Sequence, residues 1–204
     1  RDKGGLGVHA LFAFDGYSTA NGEYCFMADG EVIHMSPMDP GDVHAFASAC
    51  EARGLAVTFT EPDDIYFCGS EAELEKSGRY QSRRGCRDGR VRDWFVVGTN
   101  PVLQMVVDCG PSYDAELLEG IPGLESARWS PDFMDVVERG RGKGDAIDAF
   151  CERLGITPAE CMAIGDGGND VHMLVHAGIG VAMGQAADDV KQAADVVAPP
   201  CSED

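Results

Sequence analysis

No stretch of this sequence approaches the roughly 20 consecutive apolar residues that a membrane-spanning helix needs, so no membrane span is expected. Basic residues are scarce. Sixteen Lys and Arg stand against 35 Asp and Glu, a net charge of −19. A field of that sign repels phosphate backbones, and nucleic acid is excluded as a first expectation. A small anionic substrate is not excluded, because a bound metal ion reverses the sign locally. None of the eight cysteines makes a C-x-x-C pair, and apolar residues flank most of them. They read as reduced, mostly buried thiols of a cytoplasmic protein. Arg1 to Leu6 is charged and Gly-rich, with no signal-peptide core behind it and no initiator Met, so it does not read as a natural start. Internal repeats and low-complexity tracts are absent too.

What is present is ordinary for a globular chain: 204 residues, 44% hydrophobic and 25% charged, enough for one large domain or two small ones. The 26 glycines point to tight turns and to a Gly-rich ligand loop. Leu11 to Phe14 reads as a strand, followed by a strand–turn–strand unit through Tyr24–Met27, the Asp29-Gly30 turn, and Val32 and Ile33. Val43, Phe46, Ala47 and Cys50 then fall on one helical face, with Asp42 as N-cap and Gly54 as terminator. Strands are expected over 55–59 and 65–67, and a polar helix capped by Ser70 runs to Lys76. Residues 79–92 carry Arg79, Arg83, Arg84, Arg87, Arg90 and Arg92. Aromatic interleaving is sparse there, so the cluster reads as a solvated loop or hairpin rather than a nucleic-acid patch. Strands at 94–97, 102–108, 124–129 and 133–137, with a short helix at 113–118, complete an α+β unit over 37–138.

The tail has a different rhythm. A helix over 144–154 is followed by Thr157-Pro158-Ala159-Glu160, a helix-start signature. Strands at 161–164, 179–183 and 196–198 alternate with helices at 171–177 and 185–194. Short apolar strands alternating with helices specify a parallel sheet covered on both faces.

Two features carry chemistry. The first is Ile164-Gly165-Asp166-Gly167-Gly168-Asn169-Asp170, directly after a buried strand and before a helix, where open α/β sheets bind ligands. Its two carboxylates and one amide, with no Cys or His, are hard oxygen donors suited to Mg²⁺. The adjoining helix start favours an anion, and the spacing does not match a Ca²⁺-binding loop. The second is Lys143, between glycines at the start of a helix. A cation conflicts with the positive end of the helix dipole unless an anionic partner, a phosphoryl group or an aspartate, resolves the conflict.

Lys143 together with Gly165-Asp166-Gly167-Gly168-Asn169-Asp170-Val171-His172-Met173-Leu174, Gly178-Ile179-Gly180-Val181-Ala182-Met183 and Phe14-Asp15-Gly16-Tyr17 resembles the haloacid dehalogenase (HAD) superfamily, more narrowly the Cof-type subfamily with an α/β cap. The resemblance implies an α/β fold: a HAD-like Rossmannoid core of three α/β/α layers around a parallel sheet, incomplete in this chain, with an inserted α+β cap. The core would take residues 1–36 and 139–204, and the cap 37–138. It implies a Mg²⁺-dependent phosphatase acting on small, sugar-phosphate-like metabolites through an aspartyl-phosphate. In that scheme Asp166 is a Mg²⁺ ligand. Asp170 ligates the metal directly or through water, or orients Lys143. Lys143 neutralises the phosphoryl group and the nucleophile, and Asn169 bonds the substrate phosphate. A phosphomutase of the same superfamily, or a non-catalytic module that keeps a Mg²⁺/phosphate pocket, are the alternatives.

One departure from the pattern matters. The family nucleophile is the first Asp of an Asp-x-Asp-Gly-Thr motif, and this sequence contains no such string. The nearest, Ala13-Phe14-Asp15-Gly16-Tyr17, has Ala at the nucleophile position. The chain therefore reads as starting about 40 to 50 residues into the family pattern, and these 204 residues alone are expected to be inactive. Sheet edges left without a central strand would favour association.

Overall fold

Two antiparallel hairpins open the structure, a computed structural model that describes residues 14–85 and 89–203. β1 (Gly16–Thr19) pairs with β2 (Tyr24–Met27), and β2 pairs with β3 (Val32–Met35). The 3-10 turn Ala20–Gly22 joins β1 to β2 and holds Asn21 at φ 57°. Asn is among the few non-glycine residues that adopt this left-handed conformation readily. The strand expected over Leu11 to Phe14 lies almost entirely outside the described residues.

The chain divides into two compact units: Ser36–Gly140, and the segments before and after it. Within Ser36–Gly140, α1 (Pro40–Glu51) comes first. Its cap is Asp39, not Asp42: the Asp39 carboxylate accepts from the amides of Gly41 at 2.8 Å and Asp42 at 3.2 Å. Pro40 occupies the first helical position, where its missing N–H costs nothing. Asp42 is displaced into the first turn, where its charge still suits the helix dipole. The buried face is Val43, Phe46, Ala47 and Cys50, as the spacing predicts.

The hairpin of β4 (Val57–Thr60) and β5 (Ile65–Cys68) follows. Next come α2 (Glu71–Lys76), closed by the reciprocal Ser70–Glu73 capping pair, and α3 (Gly78–Arg83), whose Tyr80 amide donates to Ser77 Oγ at 3.0 Å. The arginine-rich segment is thus partly helical rather than a loop. Its end, β6 (Arg90–Val91), joins the sheet beside β5, and Arg87 lies outside the described residues. Residues 94–97 are not a strand. Trp94–Val96 is a 3-10 turn closed by the Val97 N–H donating to Trp94 O at 3.1 Å. Its aromatic and β-branched composition mimics a strand, but Trp94 is used to cover Phe59 edge-on, at 6.2 Å.

β7 (Gln104–Val107), α4 (Asp114–Leu117), β8 (Leu124–Ser126) and β9 (Met134–Glu138) complete the unit. The six-stranded sheet has the order β6-β5-β4-β7-β9-β8, antiparallel except for the β5–β6 pair. Alternate residues of its strands, including Val57, Phe59, Tyr66, Met105, Val107, Met134 and Val136, form one core with the buried face of α1.

The remaining elements belong to the other unit. α5 (Lys143–Leu154) packs against β1–β3 and ends at Gly155, left-handed at φ 70°. Thr157–Glu160 yields one 3-10 turn, Pro158–Glu160, rather than a longer helix. β10 (Met162–Gly165), α6 (Val171–His176), β11 (Ile179–Ala182), α7 (Asp188–Ala193) and β12 (Val196–Val197) then alternate. The three strands are parallel, in the order β10-β11-β12. The architecture is α/β, as expected.

Small residues, Ala163, Gly165, Gly180 and Ala182, line one face of this sheet, and α6 and α7 pack on it. A Cβ on Gly180 would lie 2.2 Å from Leu174 O, so the helix–sheet approach depends on its absence. The opposite face leaves Met162 at 61% and Ile164 at 56% exposure, so among the described residues only one face of the sheet is fully covered. No described helix is long and apolar enough to cross a membrane.

Candidate active site

Lys143 is the first residue of α5. The turn beneath it is fixed from both sides: the Gly142 N–H donates to Asp145 Oδ2 at 2.8 Å, and the Asp145 N–H donates to Gly142 O at 3.0 Å. A cation at this end of a helix needs a compensating charge, and Asp170 supplies it, accepting from Lys143 Nζ at Oδ1.

Asp170 is 5% exposed, and its other oxygen, Oδ2, accepts from the amides of Asp166 and Gly167, each at 2.9 Å. Its own N–H donates to Gly167 O at 2.9 Å. One carboxylate therefore closes the glycine-rich loop after β10 and ties it to α5. Burial pushes the Asp170 carboxyl up, but the Lys143 bond and the two amide N–H groups outweigh it and hold the group below the usual carboxylate range. Asp170 is the ionised partner that Lys143 requires.

Asp166 sits at the carboxyl end of β10 with an exposed side chain. Asn169 is half-buried, and its Nδ2 donates to Asn21 Oδ1 at 2.8 Å. Asn21 and Gly22 read from the sequence as a bare turn signal. The structure brings that turn across 148 residues to the loop, and no local pattern could have announced the contact. A cavity of about 650 Å³ opens at this point, lined by Ser18, Asn21, Lys143, Asp166, Asp170 and Gln185 among others. Lys143, Asp166 and Asp170 thus share one cavity, and Asn169 stands beside it through Asn21.

The donor set is oxygen only. Among the described residues no group of three or more His, Cys, Asp or Glu side chains is placed to hold a metal ion. Mg²⁺ is satisfied by one or two carboxylates, with waters and substrate oxygens filling the rest, so the exposed Asp166 carboxylate fits it. The Asp170 oxygens are both engaged, which suits a residue that orients Lys143 and the loop.

Gly22 makes the approach of the Asn21 turn possible. It lies at φ +108°, and a Cβ there would come within 2.5 Å of Gly142 O. Gly22→Ala is expected to cost about 2–3 kcal/mol through backbone strain and that clash. Urea denaturation at neutral pH measures it, and a loss under about 0.5 kcal/mol would show that the turn adapts.

The sequence pattern of the family described as haloacid dehalogenase-like hydrolase matches residues 7–204. The Bacillus subtilis protein YkrA is 26% identical over 201 residues, spanning 98% of this chain and 73% of its own. The pyridoxal phosphate phosphatase YbhA of Escherichia coli is 42% identical over 105 residues, 51% of this chain and 36% of that protein. Among solved structures, the HAD subclass IIB sugar phosphatase BT4131 superposes with a TM-score of 0.81 at 38% identity, covering 93% of this chain and 72% of that one. A phosphoryl-transfer superfamily structure, described as showing conservation of a trigonal-bipyramidal intermediate, gives 0.84 at 37% identity over 98% and 76% of the two chains.

Proposed function

The chain belongs to the haloacid dehalogenase-like hydrolases, and on that premise we propose that it carries the metal loop, lysine and cap of a Mg²⁺-dependent phosphatase for small phosphorylated metabolites. The observation that carries this reading is the Lys143–Asp170 pair, which closes the glycine-rich loop beside the exposed Asp166 in one cavity. A lysine anchored at the start of α5 offers a fixed positive charge to a phosphoryl group, and its partner aspartate keeps the ammonium aimed. Asn169, positioned by Asn21, has a second amide hydrogen to offer a phosphate oxygen. Asp166 would hold Mg²⁺, which when bound neutralises charge on the transferring phosphoryl group. The sugar phosphatase BT4131 supports a sugar-phosphate-like substrate. The cysteine pattern supports a cytoplasmic location.

The reaction would pass through an aspartyl-phosphate. These 204 residues contain no Asp-x-Asp-Gly-Thr string, so we expect no turnover from them alone. The test compares this polypeptide with a version carrying such a strand ahead of Arg1, using p-nitrophenyl phosphate with and without Mg²⁺. The extended version should release phosphate, and both Lys143→Ala and Asp166→Ala should abolish that release. Release by the 204-residue chain itself, dependent on Asp166 and Mg²⁺, would overturn the inactivity. No release from a folded extended version would overturn the phosphatase reading.

Metal binding is measurable without turnover. With Mg²⁺ at about 100 times its dissociation constant, the folded state should gain about 2.7 kcal/mol, read as a rise in melting temperature. Asp166→Ala should lose that gain. An unchanged gain in that variant would remove Asp166 from the metal site.

A further inference from the structure

Cys151 lies in the third turn of α5, and Cys161 lies one residue before β10. Their sulfurs stand 3.3 Å apart. A disulfide needs about 2.05 Å, so the two thiols have only about 1.2 Å left to close. The intervening segment is pinned: the Ile156 N–H donates to Cys151 O at 3.1 Å, the Glu160 N–H to Thr157 O at 2.9 Å, and the Cys161 N–H to Pro158 O at 3.0 Å. Both thiols are therefore carried by hydrogen-bonded backbone that keeps their sulfurs adjacent.

We propose that Cys151 and Cys161 are a reversible redox site that forms an intramolecular disulfide in response to peroxide. The two thiols differ in access. Cys151 is buried at 4% exposure, and burial, with Cys161 beside it, pushes its thiol up to about 11. Cys161 is half-buried and is the sulfur that meets the oxidant. Its thiolate attacks one peroxide oxygen; an S–O bond forms, the O–O bond breaks, and hydroxide leaves and takes up a proton as water. The Cys161 sulfenic acid is then attacked by the Cys151 sulfur, which loses its proton. The S–S bond forms, the S–O bond breaks, and a second water leaves. The two thiols lose two electrons, and hydrogen peroxide gains them.

The bond would link the helix that begins with Lys143 to the strand that feeds Asp166, so the site lies within the unit that carries the candidate catalytic residues. The proposal does not depend on the phosphatase reading, because its readout is covalent.

The test treats the folded chain with hydrogen peroxide, then unfolds it in guanidinium while blocking the remaining thiols with iodoacetamide, and digests it with trypsin. Cleavage after Lys143, Arg153 and Lys191 puts the two cysteines on separate peptides, 144–153 and 154–191. The expected product is those two peptides joined, two hydrogens lighter than their sum, and separated again by dithiothreitol. Cys161→Ser should leave Cys151 fully alkylated. Cys151→Ser should trap Cys161 as a sulfenic acid that reacts with dimedone. The proposal is overturned if wild-type Cys161 oxidises while Cys151 remains alkylated. Pairing of Cys161 with Cys201 or with a second molecule would overturn it equally.

Discussion

Asp170→Ala is expected to destabilise the chain by about 2–4 kcal/mol at pH 7 and to lower phosphate release by a nucleophile-bearing version about 10²- to 10³-fold. Asp170 is 5% exposed and accepts three hydrogen bonds, from Lys143 Nζ and from the amides of Asp166 and Gly167. Deleting it leaves one charged and two neutral donors without their acceptor. Removing one partner of a buried ion pair costs about 3–5 kcal/mol. The Lys143 side chain is 30% exposed and regains some water, so the lower range applies. The kinetic loss follows from the same geometry. Lys143 and the Asp166 loop lose the group that holds them together, and misplacement by about 1 Å costs about 100-fold.

Acid separates this account from a general packing defect. The folded Asp170 carboxyl lies below its ordinary value. Its contribution is therefore fully present above the unfolded carboxyl value, about 4, and is lost as pH falls through the lower folded value. The stability curves of wild type and Asp170→Ala should differ at pH 7 and converge on the acid side, below about pH 4. Urea unfolding at pH 7 and pH 3 measures both points. An equal gap at both pH values would show that packing, not the ion pair, sets the cost.

The tail of the chain was legible because its signals are local. The helix from Lys143 ends at a left-handed glycine, the loop after β10 follows a short apolar strand, and each lies where its residues predict. The four candidate residues fall within 28 positions of one another, Lys143 to Asp170, so their convergence follows from one strand–helix crossing. What was not legible depends on distant partners. Asn21 reads as a turn until its side chain is seen against Asn169. Trp94 to Val97 reads as a strand because aromatic and β-branched residues favour one, yet Trp94 serves as a lid on Phe59. Asp39 and Asp42 both satisfy the local rule for a cap. The choice falls to Asp39 because Pro40 fixes the first helical position. The arginines from 79 onward read as solvated, but Arg79 lies over the Phe133 ring at 5.0 Å, and Arg90 and Arg92 both pair with Asp64. Charge counting along a sequence does not see such partners.

Phe59→Ala should unfold the Ser36–Gly140 unit at far lower temperature while sparing α5. Phe59 has no exposed surface and lies on β4, between β5 and β7 in the sheet. Its ring stacks on Tyr66 at 5.4 Å and meets Trp94 in a perpendicular, T-shaped contact at 6.2 Å. Truncating a buried Phe to Ala costs about 3–5 kcal/mol through lost transfer energy and the cavity left behind. Each lost aromatic pair adds about 0.5–1.5 kcal/mol. A domain is typically stable by only about 5–15 kcal/mol, so this one ring carries a large share. For a unit of this size, 1 kcal/mol moves the melting temperature by about 4–8 °C, and a fall of about 15 °C or more is expected.

The sequence supplies the probe for that measurement. Both tryptophans, Trp94 and Trp129, lie in Ser36–Gly140, so fluorescence reports that unit alone. Amide hydrogen exchange along α5 reports the other. Phe59→Leu keeps most of the volume and should cost less than about 1.5 kcal/mol. A fall of under 5 °C in Phe59→Ala would mean that Trp94 and Tyr66 close the gap. Equal loss of protection in α5 would mean that the two units unfold as one.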